Sequence, residues 1–111
     1  MSSGKIDCKP LSVNECWQGR RYKTEKYKVY EQVVFWQLPN KLEVKPPFRI
    51  DIDFGFSAKT ADIDNPVKPF LDILQKKYGI NDKDIYELHL RKRIVPKGQE
   101  YISFNVLNLW L

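Results

Sequence analysis

The residues with the clearest chemical promise lie between Thr60 and Tyr86, in the stretch TADIDNPVKPFLDILQKKYGINDKDIY. Asp62 and Asp64 flank a single residue, Lys68 follows four positions later, and Asp82 stands beyond a glycine in an Asn-Asp pair. If the segment entering the following helix is extended, Asp62 and Asp64 point the same way, because alternate side chains of an extended chain share a face. Two carboxylates so placed suit a hard divalent cation such as Mg²⁺ or Mn²⁺. Mg²⁺ in particular takes one or two carboxylates and fills its other positions with water and substrate phosphate. That donor set belongs to phosphoryl transfer. Lys68, one helical turn beyond Asp64, is placed to neutralise charge on a phosphorane or to orient an attacking water. Asp82 can return to the helix start as a third carboxylate only if the strand after the helix pairs beside the strand before it.

The same residues also have a plain structural account. Aspartate ahead of a helix is favoured by capping and by the helix dipole, and an Asp64, Lys68, Asp72 ladder is ordinary helix-surface electrostatics. A second D-x-D pair, Asp51 and Asp53, falls on the polar side of an alternating strand and reads as solvated. His89 alternates with Glu87 and Arg91 on a strand face and reads as a surface residue rather than a ligand or base. Asp72 and Asp84 read as helix and turn polar residues.

These residues need elements to hold them. From Thr24 to Leu38 the apolar positions Tyr27, Tyr30 and Val34 recur at helical spacing, with Thr24 as N-cap and Pro39 as stop. Between Phe48 and Phe56, Phe48, Ile50, Ile52, Phe54 and Phe56 alternate with Arg49, Asp51, Asp53 and Gly55, which predicts a strand. Asn65 and Pro66 suggest an N-cap and first helical position for a helix carrying Val67, Phe70, Leu71, Leu74 and Tyr78 on one stripe and ending at Gly79. Two more extended stretches, Asp84 to Val95 and Glu100 to Leu109, are joined by PKGQ in hairpin fashion. Ahead of all this, Gly19 in CWQGRRYKT can turn between two short extended pieces. The order predicts an α+β fold, a small mixed sheet with two main helices on one face, as a single domain over residues 1–111. Tyr27, Tyr30, Phe35 and Trp36 are expected in the core or at a dimer contact, and Trp110 and Leu111 against a second subunit.

Charge narrows the partners. Nineteen basic against 14 acidic residues leave a formal charge of +5, which favours polyanions through phosphate neutralisation. Arg20, Arg21, Lys23, Lys26 and Lys28, interleaved with Trp17, Tyr22 and Tyr27, are the best candidates for nucleic-acid contact, the alternative being a solvated face. Arg91, Lys92 and Arg93 form another run, but adjacent strand residues face opposite ways and cannot all meet one phosphate track. Cys8 and Cys16 lack metal-ligand spacing and a neighbouring histidine, so reduced thiols are expected. No apolar run approaches a membrane span, and the start MSSGKIDCK lacks the apolar core of a signal peptide, so no membrane partner and an intracellular site are expected.

The pattern D-x-D-N-x-x-K-x-x-x-D-x-L followed by N-D-x-x-I, here Asp62-Ile63-Asp64-Asn65, Lys68, Asp72, Leu74, Asn81-Asp82 and Ile85, closely resembles the RusA family of Holliday-junction resolvases. Upstream, Pro10-Leu11-Ser12-Val13-Asn14 with Arg20, Thr24 and Tyr30 is similar to the family's P-x-S-x-N start and basic hairpin, and Lys97-Gly98 before an alternating strand extends the likeness. The resemblance implies an intertwined homodimer that binds branched DNA, the four-way junction, and nicks strands of like polarity symmetrically. It implies Mg²⁺, with Mn²⁺ able to substitute, held by Asp62, Asp64 and Asp82, with Lys68 as the family's essential lysine and ligatable nicks as products. The setting implied is the cytoplasm of a bacterial or phage-infected cell, with a prophage source in keeping with the family. One departure stands out: Thr60 and Ala61 occupy positions where the family often has basic residues, leaving Lys59 as the nearby DNA contact. Two alternatives remain open, a broader branched-DNA or flap nuclease and a non-catalytic nucleic-acid-binding module of the same fold.

Overall fold

The alternation over Phe48–Phe56 forms a nine-residue strand, and that strand becomes the axis of the fold. The computed structural model describes residues 2–19 and 22–110. In chain order the elements are β1 (Ser2–Ile6), β2 (Trp17–Gln18), β3 (Tyr22–Lys23), α1 (Glu25–Gln37), β4 (Phe48–Phe56), α2 (Val67–Tyr78), β5 (Ile85–Ile94) and β6 (Tyr101–Asn108). Single 3-10 turns lie at Val13–Glu15 and Asp82–Asp84. Four strands make one mixed sheet in the order β1-β6-β4-β5, while β2 and β3 form a small ribbon of their own. The α+β architecture with two helices on a small mixed sheet is the one the sequence predicts, and its core is a single cluster.

β4 lies inside the sheet because its inward side chains Phe48, Ile50, Ile52, Phe54 and Phe56 are all buried and both of its edges are paired. Ile102, Phe104 and Val106 of β6 continue the same apolar layer, matched to Phe54, Ile52 and Ile50. Tyr27, Tyr30 and Val34 of α1 and Phe70, Ile73 and Leu74 of α2 complete the core, with the Phe70 and Phe104 rings edge to face at 5.5 Å. Ile73 belongs to the buried stripe of α2, which the sequence reading did not include. Phe35 and Trp36 lie outside the core, Trp36 84% exposed, which leaves the dimer contact as the expectation that still applies to them. The opposite face of the sheet is polar, with Arg49 on Asp51 at 2.9 Å and Arg91 on Asp53 at 3.8 Å. His89 bonds Glu87 at 3.0 Å on an exposed strand face.

Two local expectations need correction. β5 and β6 are not a hairpin pair, because β4 is inserted between them, parallel to β5 and antiparallel to β6. The short connection around PKGQ therefore bridges two strand spacings, roughly 10 Å, over the end of β4. The Val95 N–H donates to the Phe56 carbonyl at 2.7 Å beneath it. Residues 57–84 form the helical crossover that parallel β4 and β5 require. Asn65 does not cap α2: Pro66 occupies the N-cap position without a side-chain bond, and the Asn65 amide turns back to Asp62. Gly79, at φ +68°, ends α2 in the left-handed conformation as predicted.

Candidate active site and the family it belongs to

The loop of residues 57–66 leaves the end of β4 and enters α2, and it carries Asp62 and Asp64, both exposed. Bonds fix it along its length. The Ser57 hydroxyl donates to Glu100 at 3.0 Å, and the Ala61 N–H closes a turn on the Ala58 carbonyl at 3.2 Å. The Asn65 amide donates to the Asp62 carboxylate at 3.2 Å, while the Val13 N–H donates to the Asn65 carbonyl at 2.9 Å. The Val67 N–H takes the Asp64 carbonyl at 3.1 Å, so the backbone of Asp64, not its carboxylate, opens the first turn. Beside the loop lies a groove of about 240 Å³ with Asp62, Thr60 and Asn65 on one side and Lys9, Ser12 and Glu15 on the other. Glu100, which anchors Ser57, is itself held below the usual carboxylate range, first by its own backbone N–H and then by the Ser57 hydroxyl.

Lys68 begins α2 one residue after Val67, its side chain 71% exposed and its ammonium 3.3 Å from Asp72. Asp82 lies elsewhere. Its carboxylate accepts from the Gln75 amide in the second half of α2, eight residues or about 12 Å of helix beyond Val67 and away from the loop that carries Asp62 and Asp64. β5 does pair beside β4, which was the stated condition for Asp82 to return, but the pairing is parallel. Parallel strands start at the same end, so Asp82, just before β5, stays at the end of the sheet opposite the loop. Among the described residues no three His, Cys, Asp or Glu side chains are gathered to hold a metal. Within one chain the three-carboxylate set therefore does not fit a cation. The Asp62 and Asp64 pair, oxygen-only and open to water, does fit Mg²⁺ in donor type and number.

The expected DNA contacts divide. Lys23 lies across Glu31 at 2.9 Å and Lys26 on Glu15 at 3.2 Å, so both charges are partly matched inside the chain. Lys59 is exposed on the loop. Arg20 and Arg21 lie outside the described residues. Burial, helped by Asp7, pushes the Cys8 thiol up to about 12, and burial with Glu15 takes Cys16 to about 11. Both stay protonated at neutral pH, which removes them as nucleophiles. Sequence reasoning missed the long-range partners of the loop: the Val13 N–H on the Asn65 carbonyl and the Ser57 hydroxyl on Glu100 cross the fold and leave no local signal.

No helix among the described residues is long and apolar enough to cross a membrane. No curated protein matches the chain. The family model for endodeoxyribonuclease RusA matches residues 10–102, a span that holds the loop, α2, Lys68 and Asp82. The chain belongs to the endodeoxyribonuclease RusA family.

Proposed function

We propose that the protein is a metal-dependent endonuclease that resolves four-way DNA junctions by paired nicks, with Asp62 and Asp64 as the ligands of Mg²⁺ or Mn²⁺. The observation that carries this reading is the pair of exposed aspartates on a loop tied at Ser57, Ala61, Asp62 and Asn65, within a chain of a DNA-cutting family. A divalent ion there would supply charge neutralisation at the scissile phosphate and a lowered pKa for water. The chain's own residues do the rest. Asp62 and Asp64 fix the ion's place, Asn65 orients Asp62, and the Lys68 ammonium, at the head of α2, meets charge developing on the phosphate. Lys59, Lys23, Lys26, Arg20 and Arg21 supply sequence-independent phosphate contacts.

Asp82 enters this scheme through a second copy of the chain. β5 is an edge strand whose outer side pairs with no other strand among the described residues, and Tyr86, Leu88 and Ile94 along it are exposed, with Trp110 edge to face on Tyr86 at 5.9 Å. A two-fold axis pairing this edge with itself makes the two strands antiparallel. The start of β5 then meets the end of its mate, where the mate's 57–66 loop lies. Such a homodimer brings Asp82 of each chain toward Asp62 and Asp64 of the other.

Cleavage of a synthetic four-way junction, a flap and a linear duplex, each with and without Mg²⁺, tests the reading. Metal-dependent, symmetrically placed nicks in the junction alone are expected. Equal cutting of flap and junction would replace the resolvase with a broader branched-DNA nuclease. Binding with no cutting in either metal would leave a nucleic-acid-binding module.

A further inference from the structure

β5 carries an exception to its own pattern. Its series in register with Ile50, Ile52, Phe54 and Phe56 of β4 reads Leu88, Leu90, Lys92 and Ile94, with Leu88 and Ile94 exposed along the edge and Leu90 and Lys92 half-buried. A lysine occupies the third of four apolar places, half-buried and facing the side that the helices cover. A charged group in such a place must find hydrogen-bond partners or forfeit its solvation. Lys92 finds two. Its ammonium donates to the carbonyl of Lys59 at 2.7 Å and to the carbonyl of Ala61, both on the loop that carries Asp62 and Asp64. The Ala61 carbonyl and the Asp62 nitrogen belong to one planar peptide, so holding that oxygen fixes the plane from which the Asp62 side chain departs. Ala61 itself packs half-buried against the core.

We infer that Lys92 is a positioning residue for the metal-binding loop, acting through the Lys59 and Ala61 carbonyls to set the direction of Asp62. The inference rests on the proposed role of Asp62 and Asp64. Asn65 restrains the Asp62 carboxylate from the helix side, and Lys92 restrains its backbone from the sheet side, so the two together define one orientation.

The sign of the effect separates positioning from bulk electrostatics. Were Lys92 only a nearby positive charge, removing it would tighten the binding of a divalent cation. As a positioning residue, its loss weakens binding, on the scale of about 10- to 100-fold seen when groups that orient metal ligands are removed. Lys92→Met keeps the aliphatic stem, and Lys92→Arg keeps donors as well. Titration of the full-length protein with Mn²⁺, read by calorimetry, should show weaker binding in Lys92→Met by about tenfold or more and recovery in Lys92→Arg. Amide exchange at residues 58–64 should quicken in the methionine variant, and Lys92→Arg should restore the wild-type rate.

Unchanged or tighter Mn²⁺ binding with unchanged amide exchange in a folded Lys92→Met protein overturns the inference. If that variant does not fold, the wild-type ammonium resonance of Lys92 decides. A slowly exchanging signal supports the clamp, and exchange as fast as that of surface lysines overturns it. If wild type binds no Mn²⁺, the nuclease reading falls by itself, and the amide-exchange comparison still tests what Lys92 holds.

Discussion

At Asp64 the carbonyl takes up the first turn of α2, which leaves the exposed carboxylate without the capping task that would otherwise explain an aspartate before a helix. Asp64→Asn should therefore abolish nicking while leaving junction binding intact or stronger, since it removes a ligand and a charge that repels phosphate. Gel-shift and nicking assays on one preparation check this, and near wild-type cutting in Mg²⁺ would end the assignment. Lys68 has a visible structural partner in Asp72, but an exposed pair of this spacing is worth only about 0.3–0.5 kcal/mol. Lys68→Ala should thus barely move thermal stability, yet lower the single-turnover rate by about 10²- to 10³-fold, the scale for losing one preorganised donor. Lys68→Arg, with the charge but not the compact geometry, should recover part of it. Cutting by the alanine variant within about threefold of wild type would remove the lysine from the mechanism.

Among the elements, α1 depends on one hydroxyl more than its apolar stripe suggests. Thr24 accepts from the Tyr27 N–H at 3.2 Å and donates to the Glu15 carbonyl at 2.6 Å, so a single side chain caps the helix and fastens it to the turn before β2. Thr24→Ala should cost about 1–2 kcal/mol in urea unfolding, whereas Thr24→Ser should cost far less. An alanine variant as stable as wild type would mean that the cap carries no weight. This cap was legible from the sequence because N-capping is a local matter, as was β4 from its alternation and Gly79 from its place after the last apolar position. The neighbours of β4 were not legible. β5 and β6 have the lengths and the turn of a hairpin, and nothing local states that the more apolar β4 will take the position between them. Asn65 misled in a similar way: its type fits a cap, but the Asp62 carboxylate three residues back competes for its amide and wins. Lys92 did leave a trace, a charge at an apolar position of an alternating strand, though its partners became visible only with the loop in place.

For the molecule as a whole, the parallel pairing of β4 with β5 settles which carboxylates share an end. Asp62 and Asp64 lie at one end of the sheet and Asp82 at the other, so the family resemblance suggests a set whose assembly the sequence did not state. If the set closes across a two-fold dimer, each site takes Asp64 from one chain and Asp82 from its mate, and the two lesions can complement. Asp64→Asn and Asp82→Asn homodimers should each be inactive. When the two are unfolded together and refolded, about half the dimers are mixed. A mixed dimer concentrates both lesions in one site and leaves the other intact. Nicking should therefore return to about a quarter of the wild-type site concentration, as single nicks rather than paired cuts. Sites built within one chain predict the opposite, since every site in the mixed dimer would then carry one lesion and the mixture would stay silent. A supercoiled plasmid bearing an extruded cruciform reads the difference, with mixed dimers giving the nicked circle and wild type giving the linear product.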